Sequence, residues 1–252
     1  MSDDAPPVLF EREGEIAIVT LNRPARRNGV TVPMARALHE VVREAAASDV
    51  RVLILRGAGK DFCVGADLGG DGQGGGSTTK SATTLADLGL LHHASTLLHT
   101  MPQITIAAID GGCAGAGMGW ASSCDFRFAS EAARFNTAFL DVGVSGDMGL
   151  AWNLQRIVGA AQARELLLFP AKFDARRALA LGFVTRLFPT AALHAETLAL
   201  AHQLAARDAF ALRMMKANLL SAEALPLDQF IDLETARQLH TAQRVDFPAR
   251  RR

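Results

Sequence analysis

The sequence predicts an α/β fold, on three observations. Compact β-branched runs at residues 16 to 21, 51 to 56 and 104 to 109 read as strands, and helical patterns at 33 to 47 and 85 to 101 separate them. Strand, helix, strand is the βαβ rhythm. From Pro189 onward the alternation gives way to helix alone, which marks a boundary between a core at 1–189 and a helical region at 190–252.

Taken in order, residues 1 to 15 are expected to be disordered, and Asn22-Arg23-Pro24 ends the first strand in a turn. In the first helix Met34, Ala37, Leu38, Val41, Val42 and Ala45 recur at three and four, with Pro33 suited to its opening turn. Residues 57 to 83 form a long loop whose stretch GGDGQGGGSTTK has the composition of a flexible linker; it lacks the GxxxxGK[ST] pattern of a phosphate cradle. A short strand at 124 to 129, a mixed segment at 134 to 150 and another short strand at 183 to 188 follow. Helices are expected at 149–157, 160–168, 174–181, 190–206, 208–222 and 227–243.

Composition narrows the function. The 252 residues carry 26 basic and 26 acidic side chains, so the long-range attraction that a nucleic acid or anionic membrane requires is missing. Small ligands held by local contacts remain open. Three cysteines, Cys63, Cys113 and Cys124, are odd in number and lack CxxC spacing, which argues against a disulfide framework or a zinc site. The acid- and proline-bearing start MSDDAPP and the lack of an 18-residue apolar stretch predict a cytoplasmic protein.

Five glycines lie among the nine residues from Gly111 to Gly119, directly after a strand and before small residues that can start a helix. Such a turn presents bare N–H groups at a helix N-terminus. The dinucleotide fingerprint GxGxxG does not fit, because the spacing differs and the run lies outside a first βαβ unit.

Several separated stretches together resemble the crotonase (enoyl-CoA hydratase/isomerase) superfamily: Leu21-Asn22-Arg23-Pro24 with Asn28, Phe62 to Leu68, Ala108 to Asp125, and Leu166 to Leu187. The resemblance runs from about residue 8 to residue 245 and implies a crotonase spiral of ββα repeats with a C-terminal helical region that builds a homotrimer or homohexamer. It also implies an acyl-CoA thioester as substrate, with coenzyme A as part of that substrate and no further cofactor or metal. The two N–H groups that grip the thioester oxygen fall on Ala66 and Ala116, beside Gly115. A small residue admits the ligand to the backbone, and a helix N-terminus favours an enolate's negative charge. Asp67 and Leu68 follow the first gripping amide, with Asp67 expected to tie the turn, while Arg23 and Arg27 fall where similar enzymes hold the CoA phosphates.

The pattern also departs from the family. Hydration needs two positioned carboxylates, and the corresponding positions are Gly119 and Phe139, neither of which can move a proton. Asp147 aligns instead with the aspartate of double-bond isomerases. One carboxylate in an apolar site suffices for isomerisation, and burial among Phe139, Met148 and Trp152 is expected to raise its pKa. The same segment resembles 4-chlorobenzoyl-CoA dehalogenase, in which the matching aspartate is a nucleophile, although the helical histidine of that enzyme falls nearest Leu90 and His92 and His93 read as solvated. A helix cap at Asp147, and a protein that binds acyl-CoA without turning it over, are further readings. Phe139, Met148, Trp120 and Trp152 are expected to line an apolar pocket.

Overall fold

The computed structural model describes residues 5–67 and 85–244, without the side chains of 85–91. Leu68, the glycine-rich stretch at 69–80 and the arginine-rich end at 250–252 lie outside the described residues. Two sheets organise the chain. The larger has the order β1 (Val8–Glu13), β2 (Ile16–Leu21), β3 (Val52–Gly57), β4 (Ile104–Ile109), β6 (Phe126–Ser130) and β9 (Arg186–Phe188). The smaller joins β5 (Gly112–Ala114), β7 (Arg134–Asn136) and β8 (Phe173–Asp174). Between them run α1 (Val32–Ala47), α2 (Leu85–Thr100), α3 (Ala116–Ser123), α4 (Leu150–Val158), α5 (Ala160–Leu168) and α6 (Ala175–Ala180). Beyond β9 come α7 (Leu193–Ala205), α8 (Ala209–Ala222) and α9 (Leu227–Ala242).

Every residue of β2 and β4 is buried, as expected of parallel strands covered on both faces. Alternate residues serve different layers. Leu53 and Leu55 point into the larger core with Leu38, Met34 and Trp120, whereas Val52 and Ile54 join Ile16, Ile104 and Ile106 against Leu193, Ala201 and Ala205 of α7. α7 thus packs in one cluster with the strands of the larger sheet.

The start of the chain departs from the expected disorder. Val8–Glu13 pairs antiparallel with β2 along its whole length, from Val8 opposite Leu21 to Glu13 opposite Ile16. Its charged residues suit an exposed edge strand, where one row of side chains faces water, and so hide the strand signal.

α8 is pinned by a buried ion pair. Lys216 Nζ, on a residue only 1% exposed, donates to Asp125 Oδ2 at 2.8 Å and to the Gln103 carbonyl at 2.6 Å. All three cysteines are buried free thiols, and burial pushes Cys63 and Cys124 up to about 12. No helix among the described residues is long and apolar enough to cross a membrane.

Candidate active site

Two backbone turns meet where the sheets adjoin. The first follows β3: Phe62 N–H donates to the Asp110 carbonyl, Cys63 N–H to Gly112, and Ala114 N–H to Cys63. Cys63 and Cys113 thereby form a parallel bridge. Asp61 fastens this crossing, accepting from Gly112 N–H at 2.6 Å and from Arg27 Nε at 2.8 Å. The Arg27 hydrogen bond is the main reason the Asp61 carboxyl sits below the usual carboxylate range.

Val30 clamps the residues on either side of Ala66. Its N–H donates to the Gly65 carbonyl at 2.8 Å, and its carbonyl accepts from Asp67 N–H at 3.0 Å. The Asp67 side chain receives Arg23 Nη2 at 2.9 Å and Arg26 Nη2 at 2.6 Å. Burial works to raise this carboxyl, but the bonds from Arg26 and Arg23 outweigh it and hold it low. Asp67 thus ties the turn, and Arg23 is committed to it; Arg27, with its side chain 63% exposed, keeps a face toward solvent while bonded to Asp61.

The second turn leads into α3. Gly115 adopts φ 49°, ψ −120°, a conformation open in practice to glycine alone, and donates to the Asn136 carbonyl at 3.0 Å. Ala116 then begins the helix. A Cβ on Gly117 would stand 2.3 Å from the Cys63 carbonyl oxygen, so only glycine lets α3 lie this close to the first turn. A Cβ on Gly115 would lie 3.6 Å from Gly65 Cα, so the residues that precede Ala116 and Ala66 are in close approach. Neither the Ala66 nor the Ala116 N–H donates to an acceptor among the described residues. Both are therefore bare donors, and that of Ala116 stands at a helix N-terminus, where negative charge is favoured.

Phe139 lies against both Gly115, before Ala116, and Gly146, before Asp147. Its ring lies 3.9 Å from the position of a Gly115 Cβ and 3.4 Å from that of a Gly146 Cβ. Asp147 Oδ1 is buried and has no hydrogen-bond partner among the described residues, while Oδ2 lies 3.6 Å from His92 Nε2. Burial pushes the Asp147 carboxyl up, and the nearby His92 opposes this in part.

The cap reading of Asp147 does not hold. α4 is capped by Gly149, and Asp147 contributes only its backbone carbonyl, which accepts from Leu150 N–H. The expected apolar wall is also smaller: Met148 is buried beside Asp147, but Trp120 is wholly inside the core. Trp152 is 44% exposed, with the Arg156 guanidinium 3.6 Å above its ring and His99 at its edge. His99 is further engaged by Glu223.

Two residues near the site escape the sequence reading. His92, expected to be solvated, faces Asp147, and its only sequence signal is that it lies seven residues before His99, on the same helical face. Asp61 stands immediately before the Phe62 to Leu68 motif without belonging to it.

A sheet wound through successive strand and helix turns, with a helical region after it, is the crotonase fold. The fold agrees with solved structures across nearly the whole chain. A candidate enoyl-CoA hydratase from Thermobifida fusca YX, solved in complex with acetoacetyl-CoA, superposes with a TM-score of 0.88 at 30% identity, covering 95% of this chain and 96% of that one. The chain belongs to the enoyl-CoA hydratase/isomerase family, whose model matches residues 11–248. It is 30% identical to 1,2-epoxyphenylacetyl-CoA isomerase of Escherichia coli (strain K12), over 95% of this chain and 92% of that protein. It is also 32% identical to the mitochondrial Delta(3,5)-Delta(2,4)-dienoyl-CoA isomerase of Rattus norvegicus, over 85% of this chain and 68% of the relative.

Proposed function

We propose that this enzyme moves a carbon–carbon double bond within an acyl-CoA thioester. The observation that carries the reading is a half-buried carboxyl, Asp147, with one oxygen buried and unpartnered among the described residues, near a Phe139 ring that also lies against Gly115, the residue before Ala116. With a 3-enoyl thioester, the Asp147 carboxylate removes a proton from C2. The C–H electron pair enters the conjugated system, and negative charge collects on the thioester oxygen, which accepts hydrogen bonds from Ala66 and Ala116. Asp147 then returns the proton to C4, leaving the double bond between C2 and C3. No atom is gained or lost, and no further cofactor or metal is called for. Each well-aimed amide contributes about 3 kcal/mol to such a transition state.

Burial of Asp147 supports the cycle, because a carboxyl raised above its ordinary value is a stronger base toward C2. Gly119 and Phe139, which the resemblance puts at the two hydratase positions, support isomerisation over addition of water. Arg27 offers the CoA phosphates an exposed guanidinium, and Arg23 supports the same turn through Asp67. Gly115 and Asp67 belong to the two turns that carry the amides, and Met148 is buried next to Asp147. A cytoplasmic homotrimer or homohexamer fits the exposed Met215, Leu219, Leu227, Ile231 and Leu239 of α8 and α9.

The test is a spectrophotometric comparison of CoA esters. Conversion of 3-enoyl to 2-enoyl thioester, lost in Asp147→Asn while the ester still binds, supports the proposal; rapid hydration of crotonyl-CoA unaffected by that substitution overturns it. One observation favours a second reading. His92 beside Asp147 suits a dehalogenase-like or hydrolytic enzyme in which Asp147 attacks an aryl carbon, halide leaves, and His92 activates the water that frees the carboxylate. Halide release from an aryl halide ester would select it. Binding without turnover of any ester would select a non-catalytic acyl-CoA-binding protein.

A further inference from the structure

The turn bearing Asp147 is held from an unexpected side. Met148 has φ 54°, an uncommon backbone angle for a residue with a side chain, and its neighbours Gly146 and Gly149 are also left-handed at 102° and 71°. A Cβ added to Gly119 would stand 2.3 Å from Met148 Cβ and 3.2 Å from its Cγ. Met148 therefore lies directly on the bare backbone of Gly119, in the space that any side chain at 119 would need. It is 4% exposed, and Asp147 Oδ1 beside it is buried and unpartnered among the described residues.

We infer that Met148 is a positioning residue: seated in the Gly119 notch, it fixes the Asp147 carboxyl toward the acyl group and keeps water from Oδ1. This rests on the reading of Asp147 as the proton carrier. The notch also explains why an acid at 119 is incompatible with this site, since its first side-chain carbon would collide with Met148 before reaching the substrate. A left-handed backbone and a glycine notch work as a pair, because unwinding Met148 to an ordinary angle would lift its side chain out of the notch and turn Asp147 with it.

Few charges complicate the test. His92 of α2 faces the carboxyl. α3 carries no titratable side chain, and Arg156 of α4 is stacked on Trp152. Asp141 in the preceding loop accepts from Asn136 Nδ2.

The experiment is a carboxyl 13C NMR titration of aspartate-labelled protein, with the Asp147 signal assigned from Asp147→Asn. Met148→Gly suits the left-handed angle, so the chain is expected to fold, but it empties the notch. Asp147 should then titrate about one pH unit lower as water reaches it. The kcat for 3-enoyl isomerisation should fall at least about tenfold with KM for the ester little changed. Met148→Leu should return the Asp147 midpoint toward the wild-type value. As a check on the contact, Gly119→Ala should lower Tm, and adding Met148→Gly should recover part of that loss. An Asp147 midpoint unmoved by Met148→Gly overturns the inference. Absence of isomerase turnover in the wild type overturns the proposed function instead, and leaves the titration to judge Met148.

Discussion

Asp147 Oδ2 lies 3.6 Å from His92 Nε2, while Oδ1 of the same carboxyl is buried with no hydrogen-bond partner among the described residues. One oxygen therefore faces an imidazole, and the other faces the dry side of the site. This asymmetry separates two chemistries. A proton shuttle needs the unencumbered oxygen, whereas hydrolysis of an ester on Asp147 needs the histidine.

Replacing His92 with Gln distinguishes them. His92 opposes the rise in the Asp147 pKa, so its removal should raise that pKa further and move the acid limb of the kcat profile to higher pH. Isomerisation should fall by less than about tenfold at the pH optimum, but hydrolysis dependent on a histidine base should fall by at least about a hundredfold. A pH profile of each activity decides between them.

Asp147→Asn should stabilise the protein at neutral pH while removing turnover. Burial raises the folded carboxyl above its unfolded value, so the folded state binds the extra proton between the two. The stability tied to this proton is present below the unfolded pKa and is lost as pH rises through the folded one. Asparagine carries no charge to bury and should therefore gain up to about 2 kcal/mol at pH 7. Urea unfolding at pH 7 should show the gain, and unfolding at a pH below the ordinary aspartate value should not.

Lys216→Met should be costly far from the site. Without the ammonium, Asp125 keeps only the Thr105 backbone N–H and hydroxyl as side-chain partners among the described residues, and the Gln103 carbonyl loses its donor. Breaking one side of a buried pair costs about 3 to 5 kcal/mol. Lys216→Met combined with Asp125→Asn should recover part of this, as read from denaturant midpoints.

Much of the framework was legible because buried parallel strands are continuous apolar runs. The strands at 16–21 and 104–109 and the helix ending at Ala47 are found where the sequence puts them. β1 was hidden because an edge strand needs no apolar alternation, and β8 because Phe173–Asp174 owes its strand character to Phe135 and Arg134 across the sheet. At the site, the two glycine-dependent turns were visible in the motifs, since close backbone approach leaves glycine as its mark. The neighbours of Asp147 were not. His92 comes from a helix more than fifty residues earlier, and the Met148–Gly119 contact depends on a backbone angle that no residue type announces.

The two amides can be tested through Gly117. A Cβ there would meet the Cys63 carbonyl at 2.3 Å, so Gly117→Ala must push α3 away from the first turn and separate Ala116 from Ala66. Losing one such donor costs about a hundredfold to a thousandfold in kcat. The most direct measurement is the infrared stretch of a 13C-labelled thioester carbonyl in the bound CoA ester, for the wild type and Gly117→Ala. The wild type should lower the carbonyl frequency relative to free ester, and Gly117→Ala should return it most of the way. A carbonyl that vibrates at its free frequency when bound to the wild type would contradict the account.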